Sequence, residues 1–229
     1  MIKYHTELIQ GSDEWFAARC GLLTAGSMKL ILTPSLKQAS NDKERSHVYE
    51  MAAQRITQFV EPSYINDDML RGQEDEVSAR ILYAERYAPV EDMGLITNNK
   101  WGFTLAYSPD GMVGDDGLIE VKSRRQKFQV ETLVRAVPGQ SVPDDYILQI
   151  QTGLLVSERD WCDFISYSGG MPMCVIRVFP DQKMQDAILE AAGAFEARVQ
   201  AVIRKYQDTL NSDARLVPTE RRVEQEIML

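Results

Sequence analysis

At 229 residues, with 44% hydrophobic and 26% charged residues and no Gly/Ser- or Pro-rich linker, the chain reads as one domain with material for a full core. A net charge of −9 excludes a protein that coats nucleic acid nonspecifically, though not an enzyme that confines positive charge to a lined channel. Three scattered cysteines without a CxxC and only two histidines exclude a disulfide framework or zinc site and suit a reducing cytoplasm, while the absence of an apolar leader or a run of roughly 20 apolar residues gives no sign of secretion or a membrane helix.

In chain order, Ser12 reads as an N-cap, followed by Asp13 and Glu14 in a first helical turn and by Gly21 as a stop. Thr24 reads as the N-cap of a second helix, Thr24 to Leu32, stopped by Pro34. Helical spacing predicts a long helix from about Asn41 to Val60 and another from about Asp67 to Tyr87, the latter with Val77, Ile81 and Ala84 on its apolar stripe. Strands are predicted near Val90–Thr97, Trp101–Tyr107 and Leu118–Ser123, with Gly114-Asp115-Asp116-Gly117 as a hairpin turn before the last. Arg124 to Arg135 reads as helix, and Asp144 or Asp145 caps another helix through about Val156. Trp161–Tyr167 and Cys174–Phe179 form a hairpin across Gly169-Gly170, and a last long helix covers about Asp181 to Leu210. The charged tail, about 211–229, reads as a mobile segment or an interaction arm.

The sharpest motif is Ser108-Pro109-Asp110-Gly111 followed by Glu120-Val121-Lys122, which resembles the PD-(D/E)xK nuclease signature. Side chains alternate along a strand, so Glu120 and Lys122 share one side while Ile119 and Val121 take the other. A Glu and a Lys on an otherwise apolar strand need partners, because unpaired charge is costly to bury. Mg²⁺ takes oxygen ligands, and Asp110, Glu120 and the Val121 carbonyl offer three. Lys122 would orient or deprotonate the attacking water, or neutralise the phosphoryl group. The plain alternative is a Pro-Asp-Gly turn beside a surface strand, with Asp115 and Asp116 as turn residues.

Other polar groups fit two readings. Gln73, Glu76 and Arg80 share a helix face, which reads first as a solvated face with a Glu76–Arg80 pair. Tyr146 and Gln149 lie one turn apart, and Gln149 and Gln151 fit plain surface glutamines. Arg19 beside the Thr24 helix start suits a phosphate, or else Arg19 simply snorkels and Thr24 simply caps.

Four blocks in one order decide among these readings: Trp15 to Ala25, Gly72 to Arg80, Ser108-Pro109-Asp110-Gly111 with Glu120-Val121-Lys122, and Tyr146 to Gln151. With them the chain resembles the phage lambda exonuclease family of YqaJ-type viral recombinases over about residues 12 to 167. The resemblance implies an α/β, restriction-endonuclease-like fold with a central mixed β-sheet flanked by helices. It implies a Mg²⁺-dependent 5′→3′ exonuclease on double-stranded DNA that releases mononucleotides and leaves a 3′ overhang for recombination. Two Mg²⁺ per site are expected, and Mn²⁺ fits the same oxygens. By the same resemblance, Asp110, Glu120, the Val121 carbonyl and Glu76 hold metal, while Lys122, Gln149 and Tyr146 complete the active site. Arg19 and Ser108 hold the 5′-phosphate with the Thr24 helix start. There Gly26 stands where the family often has a serine, and its backbone N–H or Ser27 takes that part. Met69 falls at an apolar wedge into the duplex end. Lys37, Arg124, Arg125 and Lys127, together with Lys43 and Arg45, are candidates for the DNA-lining wall. The expected partners are duplex DNA with 5′-phosphorylated ends, a single-strand annealing protein and two further copies in a homotrimer ring. The expected setting is a bacterial host cytoplasm, with no membrane. A restriction-type or structure-specific endonuclease on the same fold, or a non-catalytic DNA-end-binding protein, is the alternative.

Overall fold

The computed structural model describes residues 1–62 and 66–221. The last part of the charged tail, residues 222–229, lies outside the described residues, and 211–221 is exposed and without regular structure.

The N-terminal strand β1 (Ile2–His5) precedes helix α1 (Asp13–Arg19), capped by Ser12 accepting from the Trp15 N–H. Gly21 ends this unit with a φ of +70°, a conformation that favours glycine. After the short strand β2 (Leu23–Thr24), the expected second helix is only a 3-10 turn, Ala25–Ser27, and one α turn, α2 (Met28–Ile31). Helices α3 (Asp42–Thr57) and α4 (Asp67–Arg86) follow, capped by Asn41 and Asn66. Next come strands β3 (Leu95–Asn98), β4 (Leu105–Tyr107), β5 (Gly111–Val113) and β6 (Gly117–Ser123). Helix α5 (Gln126–Glu131) runs on into a π-helical turn, and α6 (Asp144–Ser157) begins after Pro143, so Asp144 and Asp145 occupy its first turn rather than its cap. The antiparallel hairpin β7 (Trp161–Tyr167) and β8 (Cys174–Val178) leads to α7 (Gln182–Leu210).

The α/β class is as expected, but among the described residues the strands form two mixed four-stranded sheets rather than one central sheet. The first has the order β1-β3-β4-β2 and the second β5-β6-β7-β8. The division falls at Ser108-Pro109-Asp110, where the chain leaves β4 in one sheet and enters β5 in the other. Proline has no N–H to give a ladder, so this segment suits a break between pairings.

Both faces of the second sheet are covered. Leu118, Cys162, Phe164 and Ile176 pack into a large core with α6 and α7, whereas Ile119, Val121 and Ile165 pack with Ala79 and Tyr83 of α4. The apolar stripe expected on α4 is therefore misplaced: Val77 and Ile81 are 58% and 55% exposed, and Ala84 is also exposed. The small Ala79 lets the helix approach the sheet, and the Tyr83 hydroxyl donates to Asp163 Oδ2 at 2.6 Å. Asp163 is in turn held by Arg177 through two bonds of 2.8 Å. Helix α6 packs on β3, β4 and β7 and so bridges the sheets. Its Gly153 permits this, because a Cβ there would lie 2.7 Å from the Tyr107 ring. Gln151 is buried rather than on the surface, donating to the Phe179 carbonyl and accepting from the Asp181 N–H.

Candidate active site

The alternation predicted for β6 is present. Leu118 and Glu120 face the large core, and Ile119 and Val121 face α4. Glu120 is only 1% exposed, and both its oxygens are taken. Oε2 accepts from the Tyr107 hydroxyl at 2.8 Å, and Oε1 accepts from Lys122 Nζ and Gln149 Nε2, each at 2.5 Å. Gln149 and Tyr146 of α6 are thus half-buried beside Glu120 and Lys122, with the Tyr146 ring 5.5 Å from Lys122 Nζ.

Asp110 stands just before β5 begins, where β6 has lost its β5 neighbour beyond Ile119. Its Oδ2 accepts from the Val121 N–H at 2.6 Å. The N–H and C=O of a strand residue project to the same edge, so the Val121 carbonyl also lies on this open edge beside Asp110. Burial pushes the Asp110 carboxyl well above the usual carboxylate range and the Glu120 charge pushes it further, while Lys122 only partly offsets them. Burial also raises Glu76 on α4, with Arg80 opposing and Glu120 adding repulsion. For Lys122, burial acts to lower the pKa, but Glu120 and Asp110 outweigh it and hold the ammonium charged. Glu76 therefore belongs to the site's field. The expected Glu76–Arg80 surface pair does not form, since Arg80 pairs with Asp92.

This donor set fits Mg²⁺, which is usually held by one or two carboxylates together with water and substrate phosphate. Crowded carboxylates and an open-edge carbonyl are the groups such a cation would relieve. Among the described residues no three acidic, histidine or cysteine side chains converge tightly enough to hold an ion. Asp110, Glu120 and the Val121 carbonyl are the ligand candidates here, with Glu76 coupled to them through its charge.

A second cluster adjoins the first through Ser108. The Arg19 guanidinium lies over the Trp15 ring, its carbon 4.0 Å from the ring centre, and donates to Ser108 Oγ at 3.0 Å. Trp15 Nε1 donates to the same oxygen at 3.1 Å and to the Gly94 carbonyl at 2.9 Å. With Oγ accepting twice, the Ser108 hydroxyl proton is left for another acceptor. Burial pushes Arg19 down to about 10, which still leaves it charged at neutral pH. Among the described residues it has no carboxylate partner. The cluster is braced by Arg55, which donates to the Gly21 carbonyl at 2.8 Å and pairs with Glu196 of α7 at 2.6 and 2.7 Å.

Strand β2 runs parallel to β4 with Thr24 opposite Ala106, two residues before Ser108, and Gly26 follows in the 3-10 turn. Ser27 is less suited to replace a phosphate-binding serine, because its hydroxyl caps the turn: it donates to the Thr24 carbonyl at 2.9 Å and accepts from the Thr24 N–H at 3.3 Å. A Cβ at Gly26 would meet nothing within 4 Å.

The proposed DNA wall is less uniform. Arg124 donates to the Tyr146 hydroxyl at 2.5 Å, Arg125 pairs with Asp68 at 2.6 Å, and Lys127 lies over the Phe128 ring. Arg124, Arg125 and Phe128 line a groove of about 710 Å³ that reaches Tyr146 but not Asp110, Glu120 or Glu76. Met69 is 45% exposed in the first turn of α4. Lys37 lies apart, on an exposed turn closed by Thr33; Lys43 is exposed on α3, and Arg45 pairs with Asp42. Asp115 and Asp116 are turn residues, the latter accepting from the Asp160 N–H.

Sequence reasoning missed three residues that hold the site. Tyr107 looks like an ordinary strand residue and Trp15 like a core aromatic. Gln10 has no motif, yet its Nε2 donates to the Pro109 and Met93 carbonyls at 2.8 and 2.9 Å.

Residues 14–160 match the model of the YqaJ-like viral recombinase domain. Among solved structures, the chain is similar to an alkaline exonuclease, LHK-Exo, from Laribacter hongkongensis, with 30% identity over 87% of this chain and 98% of that one and a TM-score of 0.76. A structure of LHK-Exo in complex with dAMP gives 31% identity over the same shares and a TM-score of 0.77. A phage-related exonuclease from Haemophilus somnus 129PT shares the fold at 15% identity, covering 81% of this chain and 96% of that one, with a TM-score of 0.60. Comparison with curated proteins finds no match.

Proposed function

The chain belongs to the YqaJ-like viral recombinase family, and from that premise we propose that it is a Mg²⁺-dependent 5′→3′ exonuclease on double-stranded DNA. The observation that carries this reading is the joining of two clusters in one turn. Ser108 touches the arginine suited to a terminal phosphate, and Asp110, two residues on, belongs to the carboxylate pair. An enzyme that cuts internally has no need of a seat for a chain end.

In this reading Arg19 and the free Ser108 proton bind the 5′-phosphate, with the Thr24–Gly26 turn alongside, and place the next phosphodiester over Asp110 and Glu120. Bound Mg²⁺ would supply charge stabilisation at the phosphoryl group and a more acidic water. Lys122, held charged, adds positive charge where it develops in the transition state. Gln149 and Tyr107 fix the Glu120 carboxylate by its two oxygens, and Glu76 would add a further carboxylate to the metal site. The product is a mononucleotide, and the surviving 3′ strand is a substrate for a single-strand annealing protein in a bacterial host cytoplasm. A homotrimer ring would let an acidic chain surround DNA, since each copy need present only an inner basic wall. None of the described helices is long and apolar enough to cross a membrane.

The test is digestion of linear duplexes bearing 5′-phosphate or 5′-hydroxyl ends, and of closed circles, with and without Mg²⁺, alongside the native mass. Rapid Mg²⁺-dependent loss of the 5′-phosphorylated duplex alone is expected. Cutting of closed circles would replace the exonuclease reading with the endonuclease one.

A further inference from the structure

We propose that Arg124 binds the phosphodiester immediately 3′ of the scissile one on the strand being cut, an inference that rests on the nuclease reading above. Glu120, Lys122 and Arg124 are alternate residues along one line, so they project to the same side. Arg124 lies one residue beyond β6, yet its N–H still donates to the Tyr167 carbonyl at 2.7 Å, so the strand's course continues to it. Lys122 reaches Glu120 Oε1 with its Nζ at 2.5 Å, and from Lys122 to Arg124 is a two-residue step of about 6.6 Å, comparable to the separation of successive phosphates along one nucleic acid strand.

The side chain is held for such a contact. Its guanidinium carbon lies 5.2 Å from the centre of the Tyr146 ring and 5.2 Å from that of Phe128, and it donates to the Tyr146 hydroxyl. Lys122 Nζ stands off the same Tyr146 ring, which therefore links the cutting site to the groove.

Charge distinguishes Arg124 from its neighbours in the groove. Arg71 and Arg125 both pair with Asp68, and Arg135 pairs with Glu131. Arg124 has no carboxylate partner among the described residues, and its buried Nε has no hydrogen-bond partner. A planar guanidinium held by a neutral phenol, with donors to spare, is suited to a phosphate oxygen pair. In this proposal the cut strand runs from Arg19 and Ser108, past Asp110 and Glu120, to Arg124.

The experiment uses 5′-phosphorylated duplexes in which a single neutral methylphosphonate replaces the second linkage from the 5′ end, or a linkage far from it. First-turnover kinetics in Mg²⁺ are measured for the full chain and for its Arg124→Gln and Arg124→Lys variants. For the unaltered protein, KM should rise about 10-fold with the second linkage neutral and stay unchanged with the distant one, as expected for loss of one charged hydrogen-bonded contact. Arg124→Gln should show that same rise on the all-phosphate duplex and no further rise with the neutral second linkage. Arg124→Lys should recover part of it. Insensitivity of the unaltered protein to the second linkage, or losses that multiply when variant and neutral linkage are combined, overturns the assignment while leaving the nuclease reading in place. Failure to cut the all-phosphate duplex at all overturns both.

Discussion

Glu120, at the proposed cutting end of the site, is buried and receives three donors, a phenol, an ammonium and an amide. Arg19, at the proposed capturing end, has an aromatic face beneath it and one hydroxyl before it, with no carboxylate partner among the described residues. A carboxylate taken out of water is tolerable only when its oxygens are satisfied. A cation left without a counter-ion keeps its field for an incoming anion. The cutting end is thus over-determined and should set the rate, whereas the capturing end is under-determined and should set where the rate applies.

Substitutions should separate the two ends. Asp110→Ala is expected to cost about 1000-fold or more in Mg²⁺-dependent digestion, through loss of a ligand and its charge stabilisation; undiminished digestion would place the chemistry elsewhere. Asp110→Asn should be equally inactive yet should raise the melting temperature of the metal-free protein, because it removes a crowded buried charge. The sign follows from linkage. A carboxyl whose folded pKa is raised stabilises the fold while protonated, and that contribution is lost as pH climbs through the raised value. Metal-free protein should therefore melt progressively lower above the usual carboxylate range. Mg²⁺ should restore the melting temperature more at high pH than at low, and Asp110→Asn should abolish most of both effects.

Arg19→Ala should leave kcat nearly intact and collapse the preference for 5′-phosphate over 5′-hydroxyl ends by about 10- to 150-fold, the worth of a charged hydrogen bond. An unchanged preference would break the contrast between the two ends. Tyr107→Phe leaves Glu120 Oε2 without its donor and should lower stability by about 1–3 kcal/mol in urea unfolding. Gly26→Ser has room for its side chain, and should tighten KM for 5′-phosphorylated ends by about 3-fold, a fraction of one hydrogen bond.

Local order was the legible part of this fold. The alternation through Glu120-Val121-Lys122, the Asp-Gly hairpin turn and the cap at Ser12 act over a few residues, and they appear where the sequence puts them. Pairings between distant segments were not legible. Strand β1 pairs with β3 at Ile2 and Asn98, and nothing near Ile2 announces it. Helix α4 was misread for a related reason. Its apolar residues allow more than one stripe, and the second sheet chose Ala79 and Tyr83. At the site, the motif residues came forward by type and spacing, while Tyr107 and Gln10 did not, since each acts through partners in other segments of the chain.

The segment Ser108-Pro109-Asp110 leaves one sheet and enters the other, and Gln10 braces its middle through the Pro109 carbonyl. If the end is seated at Ser108 and cut at Asp110, this segment is a ruler, and its span sets the increment of digestion at one nucleotide. Lengthening it by a residue, with both clusters intact, should change the size of the product before it changes the taste for 5′-phosphate.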